Sequence, residues 1–230
     1  DAAQGELVFF LDDDDVVYPE HVATLVQALA DNPTKRGAYS GVRVEFYRDG
    51  SLVGVFDQNQ PFDRHRLWGR NFLPIHAVLF ERSLLAEGCR FDESLEVYED
   101  WDFWTQLTQH TDFVHVDRVT CCYRNAGLSG FGAQPLEDVV SRGKLRYFEK
   151  WRQRWSSLQL QEIVDSRENV MTAQAQRLQQ LQHESQQLQQ ASEAQIQQLS
   201  GELQQLSQRW TALEAGYSSL AQQYRQREHD

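Results

Sequence analysis

The sequence predicts a layered α/β domain followed by one long α-helix that forms a coiled coil. Two observations predict the first part: short apolar runs alternate with helix-period segments as far as Trp155, and Gly, Pro or Asp punctuates them. A third predicts the second part. Beyond Trp155 there is no proline, Gln, Leu, Glu and Ser dominate, and the apolar residues settle onto a heptad spacing.

Glu6 to Leu11 is a continuous apolar run ending in Asp12 to Asp15, the pattern of a buried strand that delivers its loop to a surface. Pro19 then opens a helix over Glu20 to Asp31, with Val22, Leu25, Val26 and Leu29 as its apolar positions and Asn32-Pro33 as its stop. Tyr39 to Tyr47 alternates as a strand with Val42, Val44 and Phe46 on one side. Asp49-Gly50 turns the chain and Leu52 to Phe56 returns, which makes a hairpin. Asp57 to Asn71 has little periodicity and reads as a mobile surface loop; its aromatic stretch from Phe62 to Trp68 is a candidate lid.

Ile75 to Phe80 fits a strand or the start of a helix, and Arg82 to Ala86 a short helix stopped by Gly88. Glu99 to His110 is an aromatic-rich helix with Trp101, Trp104, Leu107 and Thr108 near one face. Phe113 to Val119 alternates as a strand that Cys121 to Arg124 extends. From Ile196 the apolar positions Leu199, Leu203, Leu206, Trp210, Leu213, Tyr217, Leu220 and Tyr224 follow at alternating steps of three and four. Leu178, Leu181 and Leu188 join this seam through Ser192 by two steps of four, a stutter that relaxes the supercoil.

Composition excludes several classes. The net charge of −12 disfavours non-specific nucleic-acid binding, which needs a basic footprint. No apolar stretch approaches the roughly 20 residues that span a bilayer, and the start lacks a signal peptide's features. Three cysteines, two of them adjacent, suggest no disulfide framework and a reducing, cytoplasmic setting. Met171 is the single methionine, and Asp1 to Gln4 reads as a helix end running into a strand, so the chain is expected to be part of a longer one.

Carboxylates at alternate positions of an extended chain share a side, so Asp12 and Asp14 can face one ligand beyond a strand's carboxyl end, where open α/β sheets bind theirs. Hard divalent cations take oxygen ligands and are commonly held by one or two carboxylates with substrate phosphates. Mg²⁺ or Mn²⁺ against a diphosphate is the expectation. An EF-hand fails, because a loop starting at Asp12 has Val17 in place of the sixth-position Gly and Ala23 in place of the twelfth-position Glu.

Phe10-Leu11-Asp12-Asp13-Asp14-Asp15 with Pro19, then Phe91-Asp92-Glu93-Ser94-Leu95, then Glu99-Asp100-Trp101-Asp102-Phe103-Trp104 resemble, in order and spacing, three segments of family 2 glycosyltransferases. The resemblance covers roughly Gly5 to Arg124 and implies a partial GT-A domain, Rossmann-like and of the nucleotide-diphospho-sugar transferase type. It implies an inverting transfer from a nucleotide-sugar donor to a saccharide or lipid-linked acceptor, as in bacterial surface polysaccharide synthesis, in the cytoplasm or peripheral at the inner face of the membrane. By it Asp12 and Asp14 are metal ligands and Asp100 is the general base. Asp13, Asp15 and Arg124 lie toward the donor, and His76, Glu99 and Trp101 toward the acceptor. Asn125, Ala126 and Gly127 depart from members that place a histidine after this arginine, and the family's first strands would lie before Asp1. The domains expected are residues 1–135 for the partial catalytic domain, 136–170 for a helical linker and 171–228 for a coiled coil that joins copies of the chain.

Local sequence alone gives Asp100 another job, because Asp is a favoured N-cap and an acidic first turn suits the helix dipole. Trp101 and Trp104 have the helical spacing of core packing. Two other functions fit parts of the sequence. Asp12, Asp14 and Val16 satisfy the nucleophile motif of haloacid-dehalogenase-like phosphohydrolases, which also need a later lysine; Lys35, Lys144 and Lys150 are poorly placed for it. A non-catalytic assembly protein would keep the coiled coil as its function and the α/β part as a remnant.

Overall fold

The computed structural model describes residues 3–125 and 137–227, without the side chains at 137, 220 and 222–227. Asp1, Ala2, Ala126, Gly127 and the Leu220 and Tyr224 side chains of the expected seam lie outside the described residues. Two compact units are present, one ending at Asn169 and one beginning at Val170. Ala3 and Gln4 are irregular.

The first unit is built on a mixed six-stranded sheet in the order β1-β5-β3-β6-β2, with β4 also paired to β3. Its strands are β1 Leu7–Phe9, β2 Val16–Val17, β3 Gly37–Arg48, β4 Ser51–Gln58, β5 Val78–Glu81 and β6 Phe113–Asn125. One edge of β3 carries β5 and then β4, both antiparallel; the other carries β6 in parallel. With β1 at the sheet edge, of its three residues only Val8 is buried, so the strand expected over Glu6 to Leu11 is shorter and wetter than its apolar run suggests. Asp49 and Gly50 both have positive φ (51° and 76°), the two-residue primed turn that matches strand twist, and the expected hairpin forms there.

Helix α1, His21–Ala30, lies on one face of the sheet with Leu25 and Leu29 packed against Ala38 and Leu79. His21 takes the third buried place on that face, and Val22 and Val26, expected inside, are both 39% exposed. The other face holds the larger core. Helix α4, Glu99–His110, has the predicted bounds and buries Trp101, Phe103, Trp104 and Leu107 there. Asp57 to Asn71 is not the mobile loop expected. Asp63 accepts a hydrogen bond from Arg66 N at 3.0 Å and caps helix α2, Arg64–Gly69. Leu67 and Trp68 of α2 are core residues, with Trp68 Nε1 donating to Thr108 Oγ1 at 2.9 Å, so the lid assignment falls. Ile75–Ala77 is a short 3-10 turn leading into β5, and α3 is Ser83–Ala86.

Helix α5, Glu137–Trp151, the turn that follows it and the start of α6, Ser157–Arg227, carry Tyr147, Trp151, Trp155 and Ile163 into the same core. Tyr147 stacks on Trp101 with centroids 3.8 Å apart. A side chain at Gly143 would collide with Val97 and Tyr98, so the glycine sets how closely α5 approaches the entry to α4. Asp102, fully buried, binds the two helices together. It accepts from Trp151 Nε1 and Lys150 Nζ at 2.8 Å each and from Gln106 Nε2 at 2.7 Å. Lys150 also donates to Asp92 at 2.7 Å, and Phe91 stacks on Phe103 at 4.5 Å. Asp92 and Asp102 are thereby occupied in packing.

In the second unit, α6 is a single helix whose apolar residues, Leu178 through Tyr217, are exposed along its length.

Replacing Asp102 by Ala removes one partner of a buried ion pair and leaves an indole N–H without an acceptor. Such losses cost about 3–5 kcal/mol. Urea unfolding followed by tryptophan fluorescence is expected to show a loss of that order; a change below about 0.5 kcal/mol, the scale of a surface substitution, would contradict the role given to Asp102.

Candidate active site

The acidic loop leaves β1 and is closed at its far end by β2, whose two residues pair with Cys122 and Cys121 of β6. This short strand was not expected from sequence. It holds Asp15 against β6, where Asp15 Oδ1 accepts from the backbone N–H of Arg124 at 3.1 Å. On its other side Asp15 Oδ2 lies 2.7 Å from Nδ1 of His76. Among the described residues neither ring nitrogen of His76 has a directed hydrogen-bond partner, so this close approach is electrostatic rather than a hydrogen bond. Asp15 and His76 are both buried.

With Asp15 fixed inward, Asp12 and Asp14 remain exposed, and one carboxylate oxygen from each of the three lies within 4.8 Å of the others. Partial burial raises the Asp12 carboxyl above its ordinary value, and the charges of Asp15 and Asp14 raise it further. Three hard oxygen donors at this spacing, repelling one another, are the donor chemistry that Mg²⁺ or Mn²⁺ requires. The residues present fit such a cation.

Asp100 stands at the start of α4, reached through Tyr98, whose left-handed backbone (φ 67°) is costly for a residue with a side chain. Tyr98 takes the N-cap position, so Asp100 is already inside the helix. Its Oδ1 accepts from Trp101 N at 2.6 Å and its Oδ2 from Asn71 Nδ2 at 2.9 Å. Asp100 keeps some exposed surface, but the packing around its carboxyl, then the charge of neighbouring Glu99, pushes it up to about 7. It is therefore poised to exchange a proton near neutrality.

Tyr123 of β6 links the two places. Burial raises its phenol, and the charges of Asp15, Asp14, Asp100 and Asp12 raise it further, so the ring lies within electrostatic reach of both the acidic loop and Asp100. Tyr123 also stacks on His76, with centroids 6.3 Å apart. Behind His76 a buried polar chain runs from His21 Nδ1 to Thr120 Oγ1 and on to Ser40 Oγ, each step 2.7 Å. Burial and the nearby His76 hold the His21 imidazole down at about 4, so it is neutral at pH 7.

Of the residues singled out in the sequence, Asp12, Asp14 and Asp15 cluster, and Asp100 shares with them an electrostatic influence on Tyr123. Asp13 and Glu99 are exposed beside them. The Arg124 side chain is half exposed, with its Nε 3.9 Å from Glu45 Oε2. His76 and Trp101, expected toward the acceptor, are both buried. His76 is closed in behind Asp15, and Trp101 donates its Nε1 to Leu67 O at 2.6 Å in the core. Lys35 is paired with Asp112 and Lys150 with Asp92 and Asp102, so neither serves the acidic loop in the phosphohydrolase manner. Asn71, Tyr123 and His21 were missed. Tyr123 lies within the strand extension from Cys121 to Arg124, while Asn71 and His21 carry no signal of their own in the sequence.

Residues 1–88 match the family model described as Glycosyl transferase family 2, a segment that includes the acidic loop and ends before Asp100 and Arg124. A solved structure titled as that of S. aureus TarS is similar at 16% identity and a TM-score of 0.40, over 64% of this chain and 29% of that one. The chain thus spans under a third of that protein's chain. No curated protein matches the chain. No helix among the described residues is long and apolar enough to cross a membrane.

A carboxyl raised in the folded state holds a proton that the unfolded chain releases. Between about pH 4 and pH 7, therefore, Asp100 makes stability fall as pH rises. Carbon-13 labelling of aspartate carboxyls is expected to show one resonance titrating near neutrality and absent in Asp100→Asn. If every aspartate titrates below pH 5, Asp100 is an ordinary ionised carboxylate.

Proposed function

We propose that this chain carries the metal-binding and acceptor-activating part of an inverting glycosyltransferase, which moves a sugar from a nucleotide-sugar donor to a hydroxyl of a saccharide or lipid-linked acceptor. The observation that carries the reading is that the charges of the acidic loop and of Asp100 both act on one phenol, that of Tyr123. The family match over residues 1–88 supports it.

Inverting transfer needs two separated functions. On one side of the reacting carbon the acceptor hydroxyl must lose a proton as its oxygen attacks; on the other the donor diphosphate must leave with its charge neutralised. Asp100 supplies the first. Its two hydrogen bonds fix the carboxylate, and its raised affinity for protons lets it take one near pH 7. Asp12 and Asp14, with Asp15 behind them, would hold Mg²⁺ or Mn²⁺, which when bound supplies charge neutralisation to the leaving diphosphate. Asp13 and the exposed Arg124 guanidinium lie toward the donor, and Glu99 toward the acceptor. In this reading the reaction occurs in the cytoplasm or at the inner face of the membrane, serves bacterial surface polysaccharide synthesis, and involves a chain associated with its own copies through α6.

Two substitutions in the full-length protein test the assignment. Asp12→Ala with Asp14→Ala is expected to abolish metal-dependent release of nucleoside diphosphate from a panel of nucleotide sugars; unchanged turnover and metal response would remove the loop from the chemistry. Asp100→Asn keeps the size but removes the charge and one of the two acceptor positions, since its amide nitrogen only donates, so transfer should fall roughly 10²- to 10⁴-fold, well beyond what any loss of stability explains. Activity that falls only in step with stability would make Asp100 a helix-terminus residue and nothing more.

A further inference from the structure

The exposed seam of α6 has a pattern that selects its partner. Ile196 opens a run in which the core positions alternate at steps of three and four as far as Tyr217, with leucine at every second one (Leu199, Leu206 and Leu213). These side chains are open to solvent, Leu206 at 60% and Trp210 at 65%. A polar helix gains little stability alone, so what holds α6 helical is a surface that covers this seam.

The residues flanking the seam say which surface. Counting Ile196 as position a, Arg209 is a g residue and Glu214 the e residue that follows. In a parallel, in-register pair each g residue faces the e residue five places on in the other helix, which sets Arg209 against the second copy's Glu214, and the reverse across the axis. Gly216, also at g, lines the hole that receives the second copy's Tyr217 and gives that large ring room. Arg209 flanks the second copy's Trp210 in the same way, where a guanidinium can lie over an indole. An antiparallel pair could set Arg209 near Glu202, but the alignment that does so places Tyr217 opposite Ser192 and shortens the apolar core. The parallel pair alone keeps every layer apolar and matches the charges. Leucine at each d position and β-branched Ile196 at the first a position are two-strand choices, while Leu203, Trp210 and Tyr217 fill the other a positions, so the charge match rather than the core composition selects the parallel pair.

We propose that the seam from Ile196 to Tyr217 docks on the same seam of a second copy, parallel and in register, as a two-stranded coiled coil. This deepens the self-association named above and rests on it, and it is independent of the transfer chemistry.

Sedimentation equilibrium of the whole chain is expected to give twice the 26.8 kDa monomer mass. Arg209→Glu sets like charges together on both flanks and should weaken the dimer roughly 3- to 30-fold, with Glu214→Arg added in the same chain restoring it. Leu213→Cys should give a reducible cross-linked dimer that the unsubstituted chain, whose three cysteines are buried, does not give. A monomer at all concentrations would overturn self-association itself. A dimer that neither rescues on charge exchange nor cross-links at position 213, or a mass three times the monomer, would overturn the parallel two-stranded arrangement while leaving self-association standing.

Discussion

One buried carboxylate organises the candidate site. Asp15 is held between the Arg124 backbone N–H and the His76 ring, and that anchorage decides which way the acidic loop faces. Four consecutive aspartates in a free loop would spread apart, since like charges repel and each prefers water. Tying the last one inward, through the two-residue strand β2, leaves Asp12 and Asp14 on the outside with their oxygens close to those of Asp15. The loop therefore stores repulsion that a divalent cation would relieve. The Asp12 carboxyl, raised in part by its neighbours, registers it.

The second organising element is helix α4, which is fixed from the opposite direction. Its buried face carries Trp101, Phe103 and Trp104, and Asp102 draws α5 onto it through Lys150 and Trp151. That packing leaves little freedom at the helix start, where Tyr98 is held in a left-handed conformation and Asp100 is delivered to Asn71. The carboxylates of one short stretch thus divide their work. Asp102 is satisfied three times over and serves stability, while Asp100, two residues earlier, is desolvated with fewer partners and keeps an affinity for protons near neutrality.

Much of this was legible in the sequence, and the gaps have physical causes. Helix α4 and the β3–β4 hairpin could be read because each is fixed locally, by an aromatic periodicity in one case and by Asp49-Gly50 in the other. Helix α2 was hidden, because six residues show too little periodicity and Trp68 is buried by partners distant in sequence, Thr108 and Trp155. Residue types pointed to Asp12, Asp14 and Asp100, but the inward role of His76 depends on a fold-level contact across some sixty residues that spacing does not encode. Trp101 went the other way: its helical spacing signalled core, and core is where it lies.

The claim that the acidic loop and Asp100 form one site is tested most directly by Mn²⁺ titration followed by paramagnetic broadening in labelled protein. If Mn²⁺ sits among Asp12, Asp14 and Asp15, the Tyr123 ring and the Asp100 carboxyl should broaden early in the titration. The Asp112 carboxyl, paired with Lys35 and Arg64, should stay sharp, and Asp12→Asn with Asp14→Asn should abolish the effect. Broadening that spares Tyr123 and Asp100, or that survives the double substitution, would show that the two sets of carboxylates are separate features.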